Sequence, residues 1–164
     1  MIGMLAIEQE KGLTTASNRK ILVYVDGAGK DVNVLEAAAK MAIEDGAELV
    51  VMTVLKKVNR VPDEFIKFVN SERFTDPPHY LYYQYLGRAV LEPYVERLRT
   101  MNVSYEVQIE FGDKKERIEA VAKAIKPYRV VMSVNGGIRK RFFGLPLLGA
   151  GKGLRLDCPI TLIP

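Results

Sequence analysis

Two short stretches carry the residue types that bind anions: Asp26-Gly27-Ala28-Gly29, and Asn135-Gly136-Gly137-Ile138-Arg139-Lys140-Arg141. Glycines let backbone N–H groups come close to a phosphate, while a helix N-terminus and Arg or Lys side chains add positive potential. The second stretch combines glycines with a basic run. An equally simple reading is that its glycines only turn the chain and that Arg139, Lys140 and Arg141 are solvated. On residue types alone both readings stay open.

Other constellations are weaker. Gly149-Ala150-Gly151-Lys152-Gly153 superficially resembles a phosphate-binding P-loop, but the motif's first glycine would fall on Pro146. Gly153 also replaces the Ser or Thr that holds magnesium, and no strand leads into the segment. The first loop supplies only Gly27-x-Gly29 of the dinucleotide fingerprint. His79 lies among prolines and tyrosines, where a lone histidine is a packed or surface ring. Tyr80, Tyr82, Tyr83 and Tyr85 have the chemistry to stack on bases, but with few interleaved cations they read as the aromatic face of a packed helix. Cys158 reads as a small core residue.

These residues sit in a chain of 164 residues with 48% hydrophobic and 27% charged residues, which fits one globular domain. No apolar run approaches the roughly 20 residues that cross a bilayer. MIGMLAIEQEKG meets charge too early for a signal peptide, so a cytoplasmic location is expected. A single cysteine and a single histidine argue against a zinc site or an intrachain disulfide, and no metal is required. The net charge of +4 permits an anionic ligand and falls short of a nucleic-acid footprint.

The elements that must position the two loops can be read from periodicity. Residues 1–18 form an arm, followed by one domain over 19–164. KILVYV (20–25) and AELVVMTVL (47–55) read as buried parallel strands. Between them Val34, Leu35, Ala38, Met41 and Ala42 recur at helical spacing, with Asp31 as N-cap and Gly46 as terminator. Residues 56–79 read as an irregular surface excursion that includes one helical turn or two. Leu81, Tyr85, Ala89, Tyr94 and Leu98 predict a long helix over 80–101, despite Gly87 and Pro93. VSYEVQIEF (103–111) alternates as an outer strand does, and Gly112-Asp113 opens a helix over KKERIEAVAKAI. RVVMSV (129–134) is a further strand, Lys152–Leu156 a short helix, and CPITLI (158–163) a last strand with its prolines at a sheet edge. The alternation predicts an α/β fold with a parallel sheet, whose ligand would sit at the carboxyl ends of the strands.

KILVYVDGAGKDVNVLEAAAKMAIEDGAELVVMTVL, EFGDKKERIEAVAKAI, RVVMSVNGG and CPITLI together resemble, in order and spacing, a universal stress protein domain. Residues 56–102 carry no specific part of that resemblance. The resemblance implies a Rossmann-like fold of the adenine nucleotide alpha hydrolase type. It further implies five parallel strands in the order 3-2-1-4-5 with helices on both faces, a homodimer, and a role in stress response. It also implies adenine nucleotide binding, ATP or AMP, through Asp26 and Val54 for base and ribose. Met132, Ser133, Gly136, Gly137, the basic Arg139, Lys140 and Arg141, and an aligned Gly149-Ala150 would complete the site.

The second loop departs from the family pattern. Ser133 stands at its first glycine, and Ala150 lacks a hydroxyl that would donate to a phosphate, a loss of roughly ten- to a hundredfold in affinity. Tyr24 replaces a proline two residues before the aspartate and would reshape the base pocket. Neither a Ser-His-Asp set nor the His-x-Gly-His or Ser-Gly-Gly-x-Asp-Ser signatures of adenylate-forming enzymes occur, so no catalytic residue is expected beyond weak ATP hydrolysis. Two functions follow: a regulatory nucleotide-binding domain, or a nucleotide-free interaction module acting through its dimer surface. The dimer interface is expected at Ile160, Leu162 and Ile163. The arm at residues 1–18 is the competing cover for that edge.

Overall fold

The computed structural model describes residues 18–27, 31–134 and 154–164. β1 (Lys20–Tyr24), β2 (Glu48–Leu55), β3 (Tyr105–Phe111), β4 (Arg129–Ser133) and β5 (Ile160–Ile163) form one sheet in the order 3-2-1-4-5. Every pairing is parallel, with Leu22 beside Val50 and Val130. β1, β2 and β4 are short β-branched runs buried on both faces, as the centre of a covered parallel sheet requires.

Four helices cover the sheet: α1 (Val32–Asp45), α2 (Asp63–Ser71), α3 (Pro78–Arg99) and α4 (Lys114–Ile125). On one face Val34, Leu35, Ala38 and Ala42 of α1, with Leu91, Tyr94, Val95 and Leu98 of α3, pack on Ile21, Val23, Leu49, Val51 and Val131. On the other, Ile118, Val121 and Ala122 of α4 pack on Leu22, Tyr24, Val50, Met52, Val130 and Met132. The strand period of two thus sends alternate residues to two separate cores. Gly46 ends α1 in the left-handed conformation at φ 63°, as expected. Asp113 caps α4 by accepting from the Glu116 N–H at 2.9 Å.

Four expectations need correction. The stretch 56–79 is not an irregular excursion: it holds the nine-residue α2 and the start of α3. Pro62 and the acidic Asp63 and Glu64 favour a helix start, and Phe65 and Val69, one turn apart, form its inner face. The buried stripe of α3 is Tyr83, Gly87, Leu91, Tyr94, Val95 and Leu98, while Tyr85 and Ala89 are exposed. Gly87 selects that stripe, because its missing side chain lets the helix close on Ile109 of β3. Asp31 sits at the N-cap of α1, yet its side chain makes no capping bond. Residues 154–156 are not helical; the rest of the short helix expected over Lys152–Leu156 lies outside the described residues, as do residues 1–17 of the arm.

Candidate functional site at the carboxyl edge of the sheet

β1 lies at the topological switch point: the chain leaves it towards β2 and β3 on one side, then crosses over to β4 and β5 on the other. Crevices outside the strand ends at such points are where open α/β sheets bind ligands. Asp26 follows β1 there, and its side chain is 54% exposed. Tyr24 and Met132 belong to the core on the α4 side, and Val54 packs against that same core one pleat nearer the edge. Ser133, half-buried, ends β4 beside Ile163 of β5. The structure therefore brings Asp26, Val54, Met132 and Ser133 to one sheet edge. Gly136, Gly137, Arg139, Lys140, Arg141, Gly149 and Ala150 lie outside the described residues.

Three further residues hold Asp26. The Asp31 carboxylate, 5% exposed, accepts from the Asp26 backbone N–H at 2.6 Å and from the hydroxyl of Tyr94 on α3. Asp31 thereby fixes the turn after β1 instead of capping α1. Gly27 continues that turn at φ 82°, where a Cβ would lie 2.5 Å from Val90 of α3. Only glycine suits both the left-handed backbone and the close approach. On the other face, the Tyr24 hydroxyl donates to Asp26 Oδ1 at 2.9 Å, and Lys114 Nζ, from the first turn of α4, donates to the same oxygen at 3.4 Å. The ammonium also lies 5.1 Å from the centre of the Tyr24 ring, a cation–π distance. Burial, and then the Asp26 charge, push the Tyr24 phenol above its ordinary range, so it is a fixed donor.

Asp31, Tyr94 and Lys114 were not singled out from the sequence as site residues. For Lys114 a signal existed, since it directly follows Gly112-Asp113 at the carboxyl end of β3, the edge where the site was expected. For Tyr94 the helical periodicity indicated burial and said nothing of its hydroxyl.

An open cleft of about 180 Å³ lies farther along the same edge, lined by Lys57, Glu110, Phe111, Gly112, Asp113, Glu116 and Arg117. The buried Glu110 accepts from Arg117 Nη2 at 2.9 Å and from Gln108 Nε2 at 2.8 Å. That pairing engages Glu110 and Arg117 with one another. Among the described residues no group of three or more His, Cys, Asp or Glu side chains is placed to hold a metal ion, and no helix is long and apolar enough to cross a membrane. His79 is exposed in the first turn of α3. Cys158 is partly buried against the α4-side core, and burial pushes its thiol up.

The profile of the universal stress protein family matches residues 17–146. The chain belongs to the universal stress protein family. The match spans 56–102, where individual motifs offered no specific resemblance. No curated protein matches this universal stress family member. Its fold is similar to a solved universal stress protein in complex with cAMP, at 16% identity, 89% coverage of this chain, 97% of that one and a TM-score of 0.59. A universal stress protein from Archaeoglobus fulgidus in complex with dAMP gives 18% identity, 89% and 98% coverage and a TM-score of 0.57. A universal stress family protein from Arabidopsis thaliana with AMP bound gives 19% identity, 88% and 90% coverage and a TM-score of 0.52.

Proposed function

We propose that this universal stress family member is a cytoplasmic regulatory domain that binds an adenine nucleotide, ATP or AMP, and carries no dedicated catalytic machinery. The observation that carries this reading is the exposed Asp26 carboxylate at the switch point, its backbone fixed by buried Asp31. In this reading Asp26 accepts from ribose hydroxyls, while Val54 and Met132 flank the base. Ser133, Gly136, Gly137, Arg139, Lys140, Arg141, Gly149 and Ala150 provide the phosphate side. The adenine nucleotides in three structures of similar fold support it. Calorimetry with ATP and AMP on protein stripped of endogenous ligand tests it. Asp26→Ala is expected to weaken binding roughly ten- to a hundredfold, the worth of hydrogen bonds to a charged group. Undiminished binding by that variant refutes the site.

The occupation of Asp26 by Tyr24 and Lys114 also favours a second reading, in which the chain is a nucleotide-free dimeric interaction module. No nucleotide would then raise the melting temperature, whereas a ligand at a hundred times its Kd stabilises a site by about 2.7 kcal/mol. Both readings include a homodimer paired through β5.

A further inference from the structure

We propose that Tyr24 and Lys114 saturate one oxygen of the Asp26 carboxylate, so that the site reads a single ribose hydroxyl and barely distinguishes ribose from 2′-deoxyribose. This inference rests on the assignment of Asp26 to the ribose. An ionised carboxylate offers about four acceptor positions, two on each oxygen. Among the described residues, the donors that reach the Asp26 carboxylate both fall on Oδ1: the Tyr24 hydroxyl at 2.9 Å and Lys114 Nζ at 3.4 Å. That oxygen is full, and Oδ2 meets no donor among the described residues, which leaves it for a ligand.

Neither donor yields easily. Tyr24 stands two residues before Asp26 at the end of a strand, with its ring buried in the α4-side core and only 3% of the residue exposed. Its hydroxyl is carried to Asp26 by a ring that cannot swing out. Lys114 is held twice, by the carboxylate and by the face of the Tyr24 ring, and its stem begins at the first residue of α4, fixed by the Asp113 cap. A ribose diol reaching both carboxylate oxygens would have to replace the ammonium, a charge-assisted donor, with a neutral hydroxyl, which is the weaker partner. Oδ2 keeps its two acceptor positions, but these point well apart, whereas vicinal hydroxyls lie side by side and cannot both align with one oxygen. The 2′- and 3′-hydroxyls therefore compete there, and the second adds little.

The test is the ratio of affinities for AMP and 2′-deoxy-AMP, measured by calorimetry on the full chain. The phosphate contribution is common to both ligands and cancels in the ratio, as does any loss of folded protein in a variant. The wild type is expected to bind the two within about twofold. Tyr24→Phe and Lys114→Met, each freeing a position on Oδ1, are expected to raise the preference for AMP to about five- to tenfold, the worth of one net hydrogen bond. A large ribose preference already in the wild type overturns the inference. So does a ratio unmoved in both variants while Asp26→Ala weakens both ligands; in that case the ribose assignment survives and only the saturated oxygen is wrong. If neither ligand binds, or Asp26→Ala binds both as the wild type does, the ribose assignment fails and the inference fails with it.

Discussion

Removing the Asp31 carboxylate takes away an acceptor used by two donors, the Asp26 N–H and the Tyr94 hydroxyl. Asp31 is almost wholly buried, so nearby water replaces little of what is lost. Asp31→Ala is expected to lower the urea-unfolding free energy by roughly 2–3 kcal/mol, and Tyr94→Phe by about 1 kcal/mol. The two share one bond, so the double variant should lose less than the sum. Strictly additive losses would show that the two side chains act independently. Asp31 lies five residues from Asp26 and was legible as a polar residue at a helix start. That its carboxylate turns back to the preceding loop was not legible, because capping and loop closure use the same residue type at the same place in the chain.

At the scale of elements, α3 decides how the molecule closes over the edge. A Cβ at Gly87 would lie 2.4 Å from Ile109 Cγ2, a contact that a buried side chain cannot vacate. Gly87→Ala gains about 1 kcal/mol of helix propensity and meets an overpacking cost of about 1–3 kcal/mol. The net expectation is destabilisation by about 1 kcal/mol, read as a lower urea midpoint. Combining it with Ile109→Ala should cost less than the two single losses together. A stabilised Gly87→Ala variant would show that α3 stands farther from β3. The same helix carries Tyr83 stacked on Phe111 at 4.5 Å, while Tyr82 meets Phe65 of α2 edge-on at 5.1 Å. The tyrosines thus pack as the aromatic face of a helix, with Tyr85 left exposed. Sequence periodicity identified the helix and its buried Tyr94 and Leu98, but in the first half it followed Tyr85 and Ala89, which are exposed. Helix period alone cannot rank two apolar stripes when glycine belongs to one of them.

The whole molecule ends in an edge strand. Ile160 and Leu162 of β5 are 39% and 50% exposed, whereas Ile163 turns to the other face and packs on the α1 core. The end of β5 is held to α1 by Asn33 Nδ2 donating to the Pro164 carbonyl at 2.7 Å. An edge strand with exposed apolar residues invites pairing, and a two-fold pairing closes on itself. Light scattering of the full chain is expected to give a dimer, and Leu162→Lys to shift it towards monomer. A monomer that associates only once residues 1–17 are removed would refute the dimer and identify the arm as the cover of this edge.

The pattern of apolar residues by itself determined that strands and helices alternate, where most of them begin and end, and that the last strand lies at an edge. These are consequences of periods of two and 3.6 and of local turn chemistry, all acting within a few residues. Together with the family resemblance it placed Asp26, Val54, Met132 and Ser133 at one edge, which the parallel order 3-2-1-4-5 brings about. Only the tertiary structure decided what Asp26 touches. Tyr94 stands 63 residues from Asp31, and Lys114 stands 88 residues from Asp26. Contacts at that separation depend on how far each helix advances over the sheet and which way its first turn faces. Those are properties of packing, set by the approach of α3 at Gly87 and of α4 at its Asp113 cap, and no local period encodes them.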